Sequence, residues 1–591
     1  MRKLSWPTLI LLLITSGAFS LFAMPTAADE QRDAQDAARE QGLDFQRSAP
    51  AKPAQATLSE PPLEPTPQGD CGPGSRPETG MQGRVSRDDH ASGRAAEGFT
   101  CNAELVGKFT KPNTPLNTVP GVENAFGSVG GFKVLRYVDD AGHECAYYDT
   151  TLLFPTNIFD ALVGVNVMDM SDPSNPVLSE RLVTPAMLSP HESLVLSKKR
   201  GLLAAVTGNP AFLPGVVDVY DISNDCRHPV LRSSLPTGII GHESGMAPDG
   251  RTFYSASPGS QTLVPVDISN PSLTRPLLAA QYDSHGLTIS DDGNRAYVAG
   301  TGSGLIILDT SDVQSRAPNP QVREIARLQW ESMSIPQNAI PVTIQGHEYL
   351  VEIDEFGTLN EVGAGRMIDI GDETNPRVVS NLRLEVHQPE NFGEISGDVG
   401  AGNQLGGYAG HYCSVPRTKD PKIVACSMIL SGLRVFDIRD PENPREVAYF
   451  NAPVTPRIVP GGTDTPPGAS NWAMSAPAFA PERGEIWYSD GYSGFYALRV
   501  TNGAWPGVDQ GGGGGGNGGG SGNGGGPGGG SPGADDGDGA NSAAEARGPD
   551  PSSGGGSLPF TGLALGGLAA LAVALLAGGA AVGRRSRRRA D

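Results

Sequence analysis

The chain has 591 residues, 79 of them glycine and 50 proline, with aromatic residues at 6%. Its formal charge of −21 excludes a nucleic-acid binder, because phosphate recognition needs concentrated Lys and Arg. Length alone suggests about four domains, but 23 of the glycines fall between 511 and 557, so the part that folds is much shorter.

The N-terminus reads Met1, Arg2, Lys3, then an apolar run from Leu9 to Ala23, then the small residues Thr26, Ala27 and Ala28. That order predicts a secretory signal peptide over 1–28, with a run too short for a stable membrane span. Residues 29–66 are rich in Ala, Gln, Glu and Pro. They carry too little apolar surface to offset chain entropy, and a disordered segment is expected. Residues 67–101 form an entry segment bounded by Cys71 and Cys101. Their bond would staple that segment to the strand that follows.

From about 102 to 502 the chain repeats. An alternating strand ending in Asp reads GVNVMD at 164–169, VVDVYD at 216–221, TLVPVD at 262–267, GLIILD at 304–309, GRMID at 365–369 and GLRVFD at 432–437. A degenerate copy is GFYALR at 494–499. Repeats of roughly 40 to 50 residues with several strands each predict a propeller. One unit is legible in full: strands at 286–290, 295–299, 304–309 and 322–328, with the turn Asp291-Asp292-Gly293 between the first two. The recurring Asp most simply accepts backbone N–H bonds and fixes the turn after it.

The last unit, with strands at 473–478, 484–489 and 494–500, lacks a fourth. The segment Ala103 to Phe109 is similar to the outer strand Arg445 to Phe450 and would supply it, closing the ring and removing exposed edges. The fold expected is all-β, a seven-bladed β-propeller with an N-terminal strand closing the last blade. The first blade is assembled around 132–138, 144–152 and 163–170. Cys413 and Cys426 fall on adjacent strands of one blade, where antiparallel pairing brings them within bonding distance. Cys145 and Cys226 remain.

The units, best at 285–328 and 411–450, resemble the LVIVD-repeat family of bacterial and archaeal surface β-propellers. The resemblance implies a propeller and a cell-surface setting, and no established reaction.

Residues 503–557 are Gly, Ser, Asn, Pro and Asp, a flexible linker. Leu558, Pro559, Phe560, Thr561 and Gly562 precede an apolar stretch over 563–582 and five arginines between 584 and 589. The stretch is long enough for a transmembrane helix, and the basic tail would stay on the cytoplasmic side. The three parts over 558–591 resemble the LPXTG cell-wall sorting signal of Gram-positive bacteria. That resemblance implies cleavage by a sortase between Thr561 and Gly562 and transfer to peptidoglycan. The expected localisation is therefore extracellular and cell-wall-anchored, or a single-pass cell-membrane protein if unsorted.

Chemistry concentrates on histidine. Four of the nine, His191, His242, His285 and His411, share one register at the start of a predicted innermost strand. Innermost strands line the central channel, so these positions ring one mouth. Converging imidazoles suit zinc or copper, with Glu192 and Glu243 as ligands or orienting partners. The alternative is that the rings bond water and loop carbonyls, because repeat position alone aligns them. Blade five offers Gln337 and Asn338 at this register, blade seven offers Asn471, and His387 lies in an insertion able to reach the same mouth. Some seven-bladed oxidases of the selenium-binding group use channel histidines; the similarity is architectural. No serine elbow, HExxH helix or phosphate loop is present. Trp472, Trp487, Tyr488 and Tyr492 cluster in the last blade, as blade core or, alternatively, a ligand-stacking patch.

Three functions follow. The first is a surface interaction module whose loops, such as 387–410 and 451–471, bind a surface protein or glycan. The alternative is an extracytoplasmic metal-dependent enzyme, oxidase-like, built on the histidine ring, and the third is a purely structural surface spacer.

Overall fold

The computed structural model describes residues 45–46, 57–110, 130–150, 164–208, 214–355, 362–402, 407–454 and 471–508. These form seven sheets arranged as blades in chain order, the four strands of each blade pairing antiparallel. Blade one runs Val134–Val138, Glu144–Asp149, Val165–Asp169 and Val177–Leu182. Blade four runs Gly286–Ile289, Arg295–Gly300, Gly304–Asp309 and Arg323–Gln329. Blade five begins with a longer hairpin, Ile335–Ile344 and His347–Glu355. Blade seven has three C-terminal strands, Ala478–Ala480, Glu485–Asp490 and Gly494–Val500. Ala103–Phe109 pairs antiparallel with the last of them and closes the ring.

The repeated sequence does two local jobs. The Asp ending each third strand fixes the turn after it. Asp169 Oδ1 accepts the N–H of Ser171 at 2.9 Å, and Asp221, Asp267, Asp309, Asp369 and Asp437 each accept the N–H two residues on at 2.9–3.0 Å. The Gly opening the third strand holds a positive φ: 102° at Gly164, 73° at Gly304, 78° at Gly432 and 104° at Gly494. A Cβ at any of these would run into a carbonyl of the outer strand, so glycine serves both backbone conformation and close approach.

Each pair of neighbouring blades shares its own apolar cluster. The core is therefore a circle of inter-blade layers, and it leaves the axis for polar groups. Trp487 and Tyr488 lie in those layers, whereas Trp472 and Tyr492 join Phe132, Tyr412 and Met474 in a separate aromatic cluster.

The chain before the first blade is bound across the outside of the ring. Thr57–Leu58 pairs in parallel with the outer strand of blade four. The Thr66 N–H donates to Arg383 O of blade five, and the Gly69 N–H to Glu446 O of blade six. A short helix, Arg87–Ser92, starts on a Ser86–Asp89 capping box. Phe99–Cys101 then adds a fifth strand to blade six. Beneath this strap Arg434 is fully buried, paired with Glu78 of the strap and with Glu446 at 3.0 Å, its guanidinium 4.4 Å above the centre of the Tyr449 ring. The disulfides are Cys71–Cys101, Cys145–Cys226 and Cys413–Cys426. The second ties blade one to the turn after the third strand of blade two.

The expectation of a C-terminal transmembrane helix is corrected. Crossing a bilayer takes about 20 apolar residues, and no helix among the described residues is long and apolar enough to do so. The stretch 563–582 and the motif Leu558, Pro559, Thr561 and Gly562 lie outside the described residues. Nothing among the described residues supports the expected single-pass membrane or wall-anchored localisation, nor sortase, peptidoglycan or the membrane as partners.

Candidate metal centre

The innermost strands bring the four histidines to one place. The backbone N–H groups of His242, His285 and His411 donate to Ala256 O, Ala299 O and Ser427 O at 3.0–3.1 Å, each to the fifth residue of its blade's second strand. That shared position explains the common register. His191 differs: it and Glu192 take left-handed backbone conformations, with φ of 40° and 72°, which non-glycine residues adopt only where surroundings impose them.

Five side chains close a ring, one from each of blades two to six. His242 Nε2 lies 3.3 Å from His285 Nε2. His285 Nε2 lies 3.0 Å from Glu355 Oε1, and Glu355 Oε2 lies 3.1 Å from His411 Nε2. His411 Nε2 lies 3.6 Å from Glu192 Oε1, and Glu192 Oε2 returns to His242 Nδ1 at 2.9 Å. That last contact is close but poorly aligned for a hydrogen bond, and His242 Nδ1 gains no partner from it. His191 stacks edge-on against His242 with ring centres 4.2 Å apart.

Tautomers follow from the outer contacts. His285 Nδ1 meets Pro336 O at 2.8 Å and His411 Nδ1 meets Met474 O at 2.7 Å. A carbonyl only accepts, so both Nδ1 atoms carry hydrogen, and in the neutral rings each Nε2 turns a lone pair inward. Those lone pairs face the Glu355 carboxylate, an arrangement that repels unless a proton or a metal ion stands between. Both ring nitrogens of His191 are buried without a hydrogen-bond partner, and an unsatisfied buried polar group costs about 1–3 kcal/mol. A cation in the ring removes both problems. The spacings fit: donors about 2.0–2.2 Å from one metal lie roughly 3.0–3.5 Å from each other.

The electrostatics are those of a compact ion cluster. Burial pushes Glu355 up, but His285 and His411 outweigh it and hold the carboxyl at about 2. Glu192 is likewise held well below the usual range against burial, chiefly by His242. Burial and the neighbouring His242 push His191 down to about 3, and burial lowers His242. His285 goes the other way, up to about 9, because the Glu355 charge overcomes burial.

The residues just before blade one contribute different chemistry. The Lys133 ammonium contacts Glu243 and sits 4.1 Å above the Tyr412 ring. Burial still pushes Glu243 up to about 8 against the pull of Lys133. Tyr412 donates its hydroxyl to Glu192 Oε2 at 2.7 Å, and Gln337 Nε2 donates to the same oxygen at 2.7 Å. The Phe132 ring lies 5.4 Å from those of His191 and His411.

The structure therefore gathers His191, His242, His285, His411 and Glu192. Glu243 lies beside them on Lys133. His387 stands elsewhere, its Nε2 on Tyr408 O at 2.7 Å and its Nδ1 accepting from the Leu384 N–H. Glu355, Lys133 and Tyr412 escaped the sequence reading. A signal for Glu355 exists in VEIDE at 351–355, where three carboxylates share one central strand. Two of them, Glu352 and Asp354, pair with buried Arg366; Glu355 is left for the axis.

A second cluster, Asp139, His143 and Asp225, is already neutralised. Arg227 contacts Asp225 at 2.9 Å and His143 Nε2 at 2.9 Å, and Asp139 accepts the N–H groups of Ala141, His143 and Cys226. It anchors the turn carrying Cys226.

Fold and site together define a seven-bladed β-propeller with a buried histidine–carboxylate ring on its axis. LVIVD repeats are matched at residues 161–184, 259–284 and 287–315. No curated protein matches the chain. Among solved structures, a putative 6-phosphogluconolactonase from Bacteroides fragilis is similar at 12% identity, covering 64% of this chain and 95% of that one, with a TM-score of 0.36. A β-propeller domain from Myceliophteria thermophila is similar at 11% identity, covering 63% and 98%, with a TM-score of 0.39.

Proposed function

We propose that this propeller is a metal-dependent protein that holds a transition-metal ion, zinc or copper, in the ring of His191, His242, His285 and His411. The observation that carries the reading is His191, whose two buried nitrogens have no hydrogen-bond partner beside the His242 ring. Imidazole-rich sets suit zinc and copper, whereas calcium and magnesium prefer oxygen. Glu192 and Glu355 supply negative charge, and Tyr412 and Gln337 orient Glu192. A bound ion would act as a Lewis acid on a small molecule or water entering the channel mouth, which is what the enzyme reading requires. The propeller scaffold equally suits an interaction module, and loops at the channel mouth would then select a surface protein or glycan. A leader (1–28), an N-terminal segment (29–66), an entry segment (67–101), the propeller (102–502) and a Gly-rich linker (503–557) are the domain division that goes with this reading.

Elemental analysis of protein purified from metal-replete medium tests it. At least about one zinc or copper per chain is expected, because such sites hold metal tightly. Replacing both His242 and His285 with Ala should abolish it. Occupancy below about 0.2 per chain, or occupancy unchanged in the double variant, overturns the reading.

A further inference from the structure

The size of the ring and the way its carboxylates face carry a step beyond metal binding. Glu355 does not aim both oxygens at one point. Its Oε1 faces His285 Nε2 at 3.0 Å and its Oε2 faces His411 Nε2 at 3.1 Å. Glu192 is divided in the same way, with Oε2 toward His242 at 2.9 Å and Oε1 toward His411 at 3.6 Å. A carboxylate chelating one ion brings both oxygens to the same side; one that bridges two ions splits them.

Size points the same way. A ring closed through five side chains at these separations has a radius of roughly 3.5 Å, while metal–nitrogen and metal–oxygen bonds are about 2.0–2.2 Å. A single central ion cannot reach the whole perimeter. It reaches one arc. The perimeter divides into two arcs of three donors. His242 Nε2, His285 Nε2 and Glu355 Oε1 make one, with neighbours 3.3 and 3.0 Å apart. Glu355 Oε2, His411 Nε2 and Glu192 Oε1 make the other, with neighbours 3.1 and 3.6 Å apart. His191 offers a further donor where the two arcs meet, its ligand atom lying within 4.8 Å of those of both His242 and Glu192.

We propose that the ring is a dinuclear site, taking two divalent transition-metal ions bridged by Glu355. The proposal rests on the metal-centre reading above and adds the number of ions and the bridge. Carboxylate-bridged pairs lie about 3.5–4 Å apart, a separation the two arcs accommodate.

The test uses the full chain, stripped with a chelator and reloaded with zinc, then desalted and assayed for metal per chain. Two zinc ions per chain are expected, falling to one or fewer in Glu355→Ala. Reloading with Cu(II) gives a second readout: a coupled pair loses most of its ordinary paramagnetic signal and shows a half-field line. One zinc per chain with the full Cu(II) signal overturns the dinuclear site and leaves the metal-centre reading standing. Less than about 0.2 zinc per chain overturns both. Should Glu355→Ala fail to fold, as judged by its circular dichroism, the wild-type stoichiometry and signal decide alone.

Discussion

His242 Nε2 and His285 Nε2 face each other across 3.3 Å on the propeller axis. Two neutral imidazoles meeting in this way need a cation between them or a proton on one. Metal uptake should therefore stabilise the native state by mass action, by about 2.7 kcal/mol when free metal is a hundredfold above Kd. Chelator treatment should lower the thermal midpoint, and zinc should restore it. A midpoint indifferent to both treatments would count against metal binding in the ring.

Tyr412 and Gln337 share Glu192 Oε2, each at 2.7 Å. Partners of this kind tune a metal site by about 10- to 100-fold in affinity. Tyr412→Phe should weaken metal binding within that range while the stripped protein melts nearly as the wild type does. Competition with a chromophoric chelator measures the first and calorimetry the second. Equal affinity in Tyr412→Phe would remove Tyr412 from the site.

Arg434 is buried under the strap with Glu78 and Glu446 as its counter-charges. Removing one partner of a buried ion pair costs about 3–5 kcal/mol, whereas replacing the charged set by apolar groups is often neutral. Arg434→Met should therefore destabilise strongly in denaturant unfolding, because it leaves Glu78 and Glu446 buried without their cation, and Glu78→Gln with Glu446→Gln in the same chain should recover much of the loss. Additive damage in the triple variant would show that the three groups do not act as a unit.

The turn aspartates set the acid limit of the fold. Burial would raise Asp169, Asp221, Asp267 and Asp309, but the hydroxyl and N–H of the serine two residues on, with a nearby Arg, outweigh it and lower all four. Their folded-state values sit below the unfolded value of 3.8. Their stabilisation is present above that value and is lost as pH falls through the folded ones. Thermal midpoints should thus fall below about pH 4, and Asp309→Asn should reduce the drop. An identical acid profile in Asp309→Asn would assign the loss to other groups.

Cys145–Cys226 closes a separation of 81 residues and Cys413–Cys426 one of 13. Loop entropy makes the longer closure worth about 1–2 kcal/mol more. Replacing Cys145 and Cys226 with Ala should cost more in denaturant unfolding than replacing Cys413 and Cys426. The reverse order would mean that local packing, not loop closure, dominates.

Much of the propeller is legible in the sequence because its signals are local. A strand ending in Asp before Ser or a Pro-containing turn states its own geometry within six residues, and the blade-four strands fall where that pattern puts them. The histidines are legible for the same reason, since repeat position places His242, His285 and His411 on equivalent rungs. What escapes is non-local. Glu355 is one of three carboxylates on its strand, and only pairing across the blade shows that Arg366 takes the other two. Glu192 enters the ring through a left-handed backbone that strand alternation does not foresee. The strap pairs with outer strands through two or three residues at a time, too few to leave a periodic signature.

The seam of blade seven also sets a timetable. Ala103–Phe109 is made early in synthesis, and its partner Gly494–Val500 almost last. Because chains emerge N-terminus first, the early strand must wait through the synthesis of six blades with its ladder groups unmatched. Pairing across so long a separation is slow to form. The ring is therefore most exposed to aggregation just before completion, and a chain cut short before 494 leaves open the two edges that the finished circle hides from each other.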